Sequence, residues 1–290
     1  MTFPKVPKTH AKAQRREGPC GRPPKKTFAA LRLCVNLFPL LFFIAAKAQT
    51  NALSDAEIQG RQLAQQLCEV KPTRNLTNTG TLKVRDDKGK DWNVPVEFAL
   101  VTNDTNWLSF YKCFSVRDGV NNHECWQFVT IVHDGLNPNQ YSESGIKGAV
   151  QLNDQPRGFL FYTNTFPDNT MVFGFRSDFW LCDLGLEFFH WPGQKVLPHT
   201  TTLKRGREYT LLESTNPNPT TNGYSRVVSW IDKETGGILE AEASDATGKL
   251  LKDFAPKSFK KVNGQWELQE MEIRNVQTGS RTRLEFDLPK

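Results

Sequence analysis

The tightest cluster of chemically able side chains in this 290-residue sequence is His123, Glu124, Cys125 and His133. On a strand, His123 and Cys125 would share a face, and nitrogen with thiolate suits a zinc-type ion. The simpler reading is a polar hairpin end carrying a structural cysteine, so no metal is assigned. Asp178 and Asp183 are a second pair, which could divide acid–base work between two carboxyls. Their positions read better as a helix start, where the helix dipole favours an acid, and a solvated helix edge. His190, Trp191 and His199 are too scattered to form a site. A Gly-x-Ser-x-Gly elbow, a phosphate-cradling glycine loop and His-Glu-x-x-His are all missing from the sequence. The chain therefore reads as a non-enzyme without a cofactor.

Binding is better represented than reaction. Residues 177–191 read Ser-Asp-Phe-Trp-Leu-Cys-Asp-Leu-Gly-Leu-Glu-Phe-Phe-His-Trp, and Pro192 follows. At 100° per residue, Phe179, Leu181, Cys182, Leu184, Gly185, Leu186, Phe188 and Phe189 share one broad arc. Asp183, Glu187 and His190 occupy a narrow wedge flanked by Trp180 and Trp191. A surface helix needs an apolar stripe about 100° wide, and this arc is roughly twice that, so the segment must be covered on several sides. Ser177 is the expected N-cap, and Pro192 blocks continuation. Such a helix is either a lid over a hydrophobic cavity or an ordinary core helix, and the pattern alone does not separate the two.

The elements around it are β-like. Ser54-Asp55-Ala56-Glu57 is a capping box opening a helix that should end near Cys68, before Pro72. Alternating runs follow at 81–86, 92–102, 106–117, 124–133, 158–163 and 171–175, joined by Gly, Asn and Asp turns. The stretch from Asp134 to Pro156 is polar and rich in Gly, Asn and Pro, and reads as a long surface loop. Runs at 207–214, 224–232, 238–244, 249–259, 265–274 and 281–287 are separated by short turns and should form an antiparallel meander. One shift in the alternation of Trp266, Leu268, Met271 and Ile273 suggests a bulge.

Net charge is +6, but the first 48 residues contribute ten Lys and Arg and one acid. The remaining 242 residues carry 27 basic and 30 acidic groups, a net charge of −3 with no basic stripe, so nucleic acid is not an expected partner. The basic N-terminal region ends at Arg32, an apolar run extends from Leu33 to Ala46, and Ala46-Lys47-Ala48 has a small-x-small cleavage pattern. Residues 1–48 thus read as a signal peptide. The run is shorter than the roughly 20 residues of a permanent span. Cys34 precedes this run rather than following it, which argues against a lipoprotein. Of the four remaining cysteines, Cys68, Cys113, Cys125 and Cys182, the pair Cys113 and Cys125 flanks the turn at 118–122 and could bridge a hairpin, or all could stay reduced.

The order of motifs resembles the LolA/LolB-like family of outer-membrane lipoprotein-sorting proteins. It begins at Ser177-Asp178-Phe179 and Asp183-Leu184, and continues through Tyr209-Thr210-Leu211, Tyr224, Trp230-Ile231-Asp232 and Thr235-Gly236-Gly237-Ile238. It ends with Asp245-Ala246-Thr247-Gly248-Lys249, Gly264-Gln265-Trp266, Thr278-Gly279 and Thr282. Residues 157–290 carry the likeness, and the first helix and strands match in order and type. The resemblance implies one domain over residues 49–290, mainly β. The fold implied is a half-open antiparallel barrel of about ten or eleven strands, with an N-terminal helix and the apolar lid helix over its concave face.

It also implies a periplasmic carrier or binding protein for lipid or lipoprotein acyl chains in a Gram-negative-type envelope. Phe179, Trp180, Leu181, Leu184, Leu186, Phe188, Phe189 and Trp191 would be its cavity and lid residues. The partners would be acyl chains and a membrane-bound donor or acceptor, with the protein a monomer. The 134–156 stretch would be an insertion, and no counterpart of the family's basic latch residue is identifiable. A non-transporting envelope-assembly module, or a lipid hydrolase using the same cavity, are the alternatives. N-terminal sequencing of the mature protein is expected to begin near Gln49, and an unprocessed product would refute the export signal.

Overall fold

Ser54 and Glu57 form the expected capping box: Glu57 Oε2 accepts from the Ser54 amide at 2.8 Å, and Ser54 Oγ accepts from the Glu57 amide at 3.4 Å. They start α1 (Asp55–Cys68), which buries Gly60 and Ala64. A Cβ on Gly60 would lie 2.5 Å from the Lys195 backbone, so a glycine is required for this close approach. The computed structural model describes residues 53–116, 124–150, 158–165, 177–201, 203–262 and 264–289. The signal-like segment, the run at 171–175 and the turn at 118–122 lie outside the described residues.

Fourteen strands are present among the described residues. They are β1 (Leu76–Arg85), β2 (Asp91–Thr102), β3 (Trp107–Val116), β4 (Glu124–Asp134), β5 (Asn137–Val150), β6 (Gly158–Thr165) and β7 (Gly193–Leu197). The others are β8 (Leu203–Lys204), β9 (Arg207–Thr215), β10 (Tyr224–Asp232), β11 (Ile238–Asp245), β12 (Leu250–Val262), β13 (Gln265–Asn275) and β14 (Arg281–Phe286). The order is β6-β5-β4-β3-β2-β1-β14-β13-β12-β11-β10-β9-β7, with β8 beside β9, and every pairing is antiparallel. The terminal strands β6 and β7 are not paired with each other, so the sheet stays open, as a half-open barrel requires.

Two meanders meet at the β1–β14 pair. Leu82 faces Leu284 and Val84 faces Thr282 across it, all four side chains buried. On the outward face, Lys83 reaches diagonally to Glu285 and forms an ion pair at 2.7 Å. The period-2 alternation thus aims one face of this seam inward.

The strand count exceeds the expected ten or eleven for two reasons. Residues 137–150, read as loop, form β5. Its inward positions include the polar Asn139 and the amphipathic Tyr141, so hydropathy shows no apolar alternation there. β7 and β8 are short strands following residues 177–191. The bulge expected in the last meander is present, with register shifts between Pro256 and Ser258 and again between Ser258 and Phe259.

His133 on β4 illustrates the interior of the first meander. Its Nε2 lies 2.9 Å from Ser109 Oγ, and its ring stacks on Trp107 at 3.6 Å and 8°. Burial pushes the His133 pKa down from 6.5 to about 4, so the ring is neutral at pH 7. A depressed histidine supports folding above its unfolded pKa and loses that support as pH falls through its folded one. Stability should therefore fall between about pH 6.5 and pH 4 by up to about 3 kcal/mol on this account. Urea denaturation across that range measures it, and the decline should be shallower for His133→Gln.

Candidate functional site

Residues 177–191 fill the inner face of the open sheet, but not as one helix. They form α2 (Leu181–Gly185) and a 3-10 turn (Glu187–His190), joined at Leu186 in the left-handed region with φ 51°. Tyr141 of β5 packs where a Gly185 Cβ would stand, so this residue must be glycine. Ser177 does not cap the helix. Its Oγ accepts instead from the Phe179 amide at 3.1 Å. Asp183 accepts from the Trp180 amide at 2.8 Å and closes the first turn from within. The single-helix expectation fails because polar side chains from the sheet and from the segment itself take over its backbone groups.

The segment straddles two cores. Phe179 and Leu181 pack with Leu82, Val96, Ile131, Ile273 and Leu284. Cys182, Phe188, Phe189 and Trp191 pack with Ala64, Leu212, Val227 and Ile231. Of the eight residues expected at a cavity, Phe179, Leu181, Phe188, Phe189 and Trp191 are buried, and Trp180, Leu184 and Leu186 are half-buried. The expected solvated edge of Asp183 and Glu187 is overturned, because Glu187 is buried and the Asp183 side chain is only 9% exposed; Asp178, expected at a helix start, is buried as well.

Those acids hold the segment in place. The Lys252 side chain, 3% exposed, enters from β12. Its Nζ donates to the Asp178 carbonyl at 2.5 Å, lies 3.6 Å from Asp183 Oδ2, and sits 3.5 Å from the Trp180 ring centroid. Tyr224 donates to Asp183 Oδ1 at 2.9 Å and stacks on Trp180 at 4.5 Å. Asp178 accepts from Ser280 Oγ at 2.6 Å and from Thr282 Oγ1 at 3.0 Å. Burial pushes the Asp183 carboxyl up and the Lys252 ammonium down, while each opposes the shift of the other by charge attraction.

A second fastening lies at the far end. Glu187 Oε2 accepts from Tyr141 Oη at 2.8 Å and the Asn139 amide at 3.2 Å, and Asn139 Nδ2 donates to the Gly185 carbonyl at 2.7 Å. Gln194 Nε2 donates to the carbonyls of Phe188, Phe189 and Trp191, and Gln194 Oε1 accepts from Ser214 at 2.8 Å. None of Lys252, Gln194, Asn139 or Tyr141 was singled out by sequence reading. Lys252 did leave a signal: it sits at an inward position of β12, two residues before core Phe254.

Little space remains. A cavity of about 20 Å³ lies between Asp183, Phe188, Val227 and Phe254, and one of about 80 Å³ between Leu67, Trp107, His133 and Phe189. The first has room for about one water. Neither accepts an acyl chain while the segment is in place.

The register sets Cys113 opposite Gln127 and Cys125 opposite Ser115. The two cysteines lie on neighbouring strands, as expected, offset by two residues along the ladder. His123 lies outside the described residues, and His133 is committed to Ser109 and Trp107. Among the described residues no group of three or more His, Cys, Asp or Glu is placed to hold a metal ion, and no helix is long and apolar enough to cross a membrane.

This geometry can be set beside known proteins. A DUF1329 family protein from Desulfovibrio piger superposes with a TM-score of 0.60 at 19% identity, over 81% of this chain and 92% of that one. A domain named for outer membrane lipoprotein sorting, from Vibrio parahaemolyticus, gives 0.58 at 16% identity, over 80% and 91%. A LolA superfamily protein from Nitrosomonas europaea gives 0.48 at 11% identity, over 81% and 96%. A family model described as "Uncharacterized protein" matches residues 177–290, a stretch that opens on Ser177 and contains Asp178, Asp183, Tyr224, Lys252, Ser280 and Thr282. No curated protein matches the sequence. The first two superpositions define the class: this chain has the open antiparallel fold of those proteins, in agreement with the LolA-like fold expected from its motifs.

Removing one member of a buried ion pair strands the other. Lys252→Met is expected to cost about 3–5 kcal/mol. Adding Asp183→Leu should recover part of the loss, and a denaturation double-mutant cycle reads the coupling.

Proposed function

We propose that this protein is an exported carrier or binding protein for acyl chains of lipids or lipoproteins, and that residues 177–191 occupy the cargo space when it is empty. One observation carries the reading. A segment rich in Phe, Leu and Trp fills the inner face of an open sheet, yet it is fastened there by two polar knots rather than being a continuation of the strands. The fold shared with a domain named for outer membrane lipoprotein sorting supports the same reading.

In this scheme cargo competes with the plug. A buried acyl chain contributes about 0.8 kcal/mol per CH₂, so a sixteen-carbon chain offers roughly 12 kcal/mol before the cost of displacing Phe179, Leu181, Phe188, Phe189 and Trp191 from their cores. Apparent affinity is then the intrinsic affinity reduced by the fraction of molecules with the plug withdrawn. When a tighter-binding acceptor takes the cargo, the plug refills the space it leaves.

The tightness of the closed state favours one other reading, a binding or envelope-assembly module that never opens. The two differ in a fluorescent acyl-probe titration and in mass spectrometry of organic extracts. For a carrier, extracts contain lipid, and Tyr141→Phe, which removes a donor to Glu187, should tighten probe binding several-fold by loosening the plug. Clean extracts with no probe binding in either protein would refute the carrier.

A further inference from the structure

The β12–β13 hairpin extends past both of its neighbours. The register of β11 on β12 stops at Phe254, and that of β14 on β13 stops at Glu270. From Phe259 to Val262 and from Gln265 to Leu268 the two strands pair with each other. The register shifts on either side of Ser258 mark the base of this projection and bend it. Gly264, at φ +85°, makes the tight turn at its tip.

One face of the projection is anchored. Val262 and Leu288 are buried in the core, and Lys260 Nζ donates to the Leu288 carbonyl at 2.9 Å. Arg74 ties down Glu267 at 2.7 Å. The other face presents Phe259, 54% exposed, and Trp266, 71% exposed and paired in register with Lys261. A tryptophan this bare contributes little to folding and exposes a large apolar area.

The charges select what covers it. The acid on the projection, Glu267, is neutralised by Arg74, while Lys261, on the face of Trp266, has no carboxylate partner among the described residues. The tip is thus cationic on a domain whose residues after 48 sum to −3. A protruding Trp and Phe beside a lysine is the composition that seats at a lipid headgroup interface.

We propose that the β12–β13 tip is a membrane-contacting finger that inserts Trp266 and Phe259 at the interface of an anionic bilayer, with Lys261 against the headgroups. It stands on geometry separate from the plug and goes beyond the cargo reading by naming the surface at which the protein works.

The test uses the purified full chain and vesicles of phosphatidylglycerol and phosphatidylethanolamine whose acyl chains are brominated. Such vesicles should quench part of the emission of the seven tryptophans, and Trp266→Phe should abolish that quenching while leaving the melting temperature unchanged. Lys261→Gln should weaken vesicle binding roughly five-fold and reduce its salt sensitivity. Phe259→Ser should weaken it in the same sense. An unquenched wild-type protein, or a Trp266→Phe variant quenched as strongly as wild type, would overturn the finger. Failure of the acyl-probe titration with quenching intact would overturn the cargo reading alone.

Discussion

Burying Lys252 is the constraint on which the rest of the interior depends. A desolvated ammonium inside a protein must be paired and hydrogen-bonded or it neutralises. Here it finds the Asp178 carbonyl, the Asp183 carboxylate and the Trp180 ring face, and every one of these belongs to the plug. The strand therefore dictates where the plug begins. Asp183 in turn engages Tyr224 on β10, and Asp178 engages Ser280 and Thr282 at the start of β14. One charge on β12 thereby aligns a peptide segment with three strands, which apolar contact alone, being non-directional, could not do.

Fastening by polar groups has a mechanical meaning. Apolar side chains such as Phe188 and Leu181 tolerate sliding, whereas a buried carboxylate has few satisfied positions. The plug should then have discrete seated and unseated states rather than a continuum. The two knots lie at opposite ends of the segment, with Asp178 and Asp183 toward the start and Glu187 with the Gln194 contacts toward the end. Leu186, in its left-handed conformation, lies between them and marks where the two halves could part company.

Much of the architecture was legible in residue order. The capping box at Ser54 set the first helix, and the Asn, Asp and Gly turns delimited most strands of both meanders, because turn chemistry and period-2 alternation are local. The plug was recognisable as doubly covered from its wide apolar arc. Its conformation was not, since the groups that break it, Tyr141 and Asn139 from β5 and Gln194 from β7, are remote or disguised in sequence. β5 itself was missed for the same reason: its inward face is polar, and the partner that makes a polar inward face tolerable is Glu187, 46 residues from Tyr141. Reading Asp183 and Glu187 as solvated followed from hydropathy, which ignores partners, and Lys252 was the visible clue that a buried acid had to exist.

The seam between β1 and β14 has a consequence for how the chain becomes a protein. β1 and β14 are neighbours at the centre of the sheet, so the two meanders can grow independently but cannot join until β14 has been made. Contacts between residues such as Leu82 and Leu284 span almost the whole domain, and pairings of that separation form slowly. Throughout synthesis the growing chain holds an open strand edge and an uncovered inner face. The seam is thus a late event, closed only once β14 has emerged, and until then the inner face has no fixed partner across it.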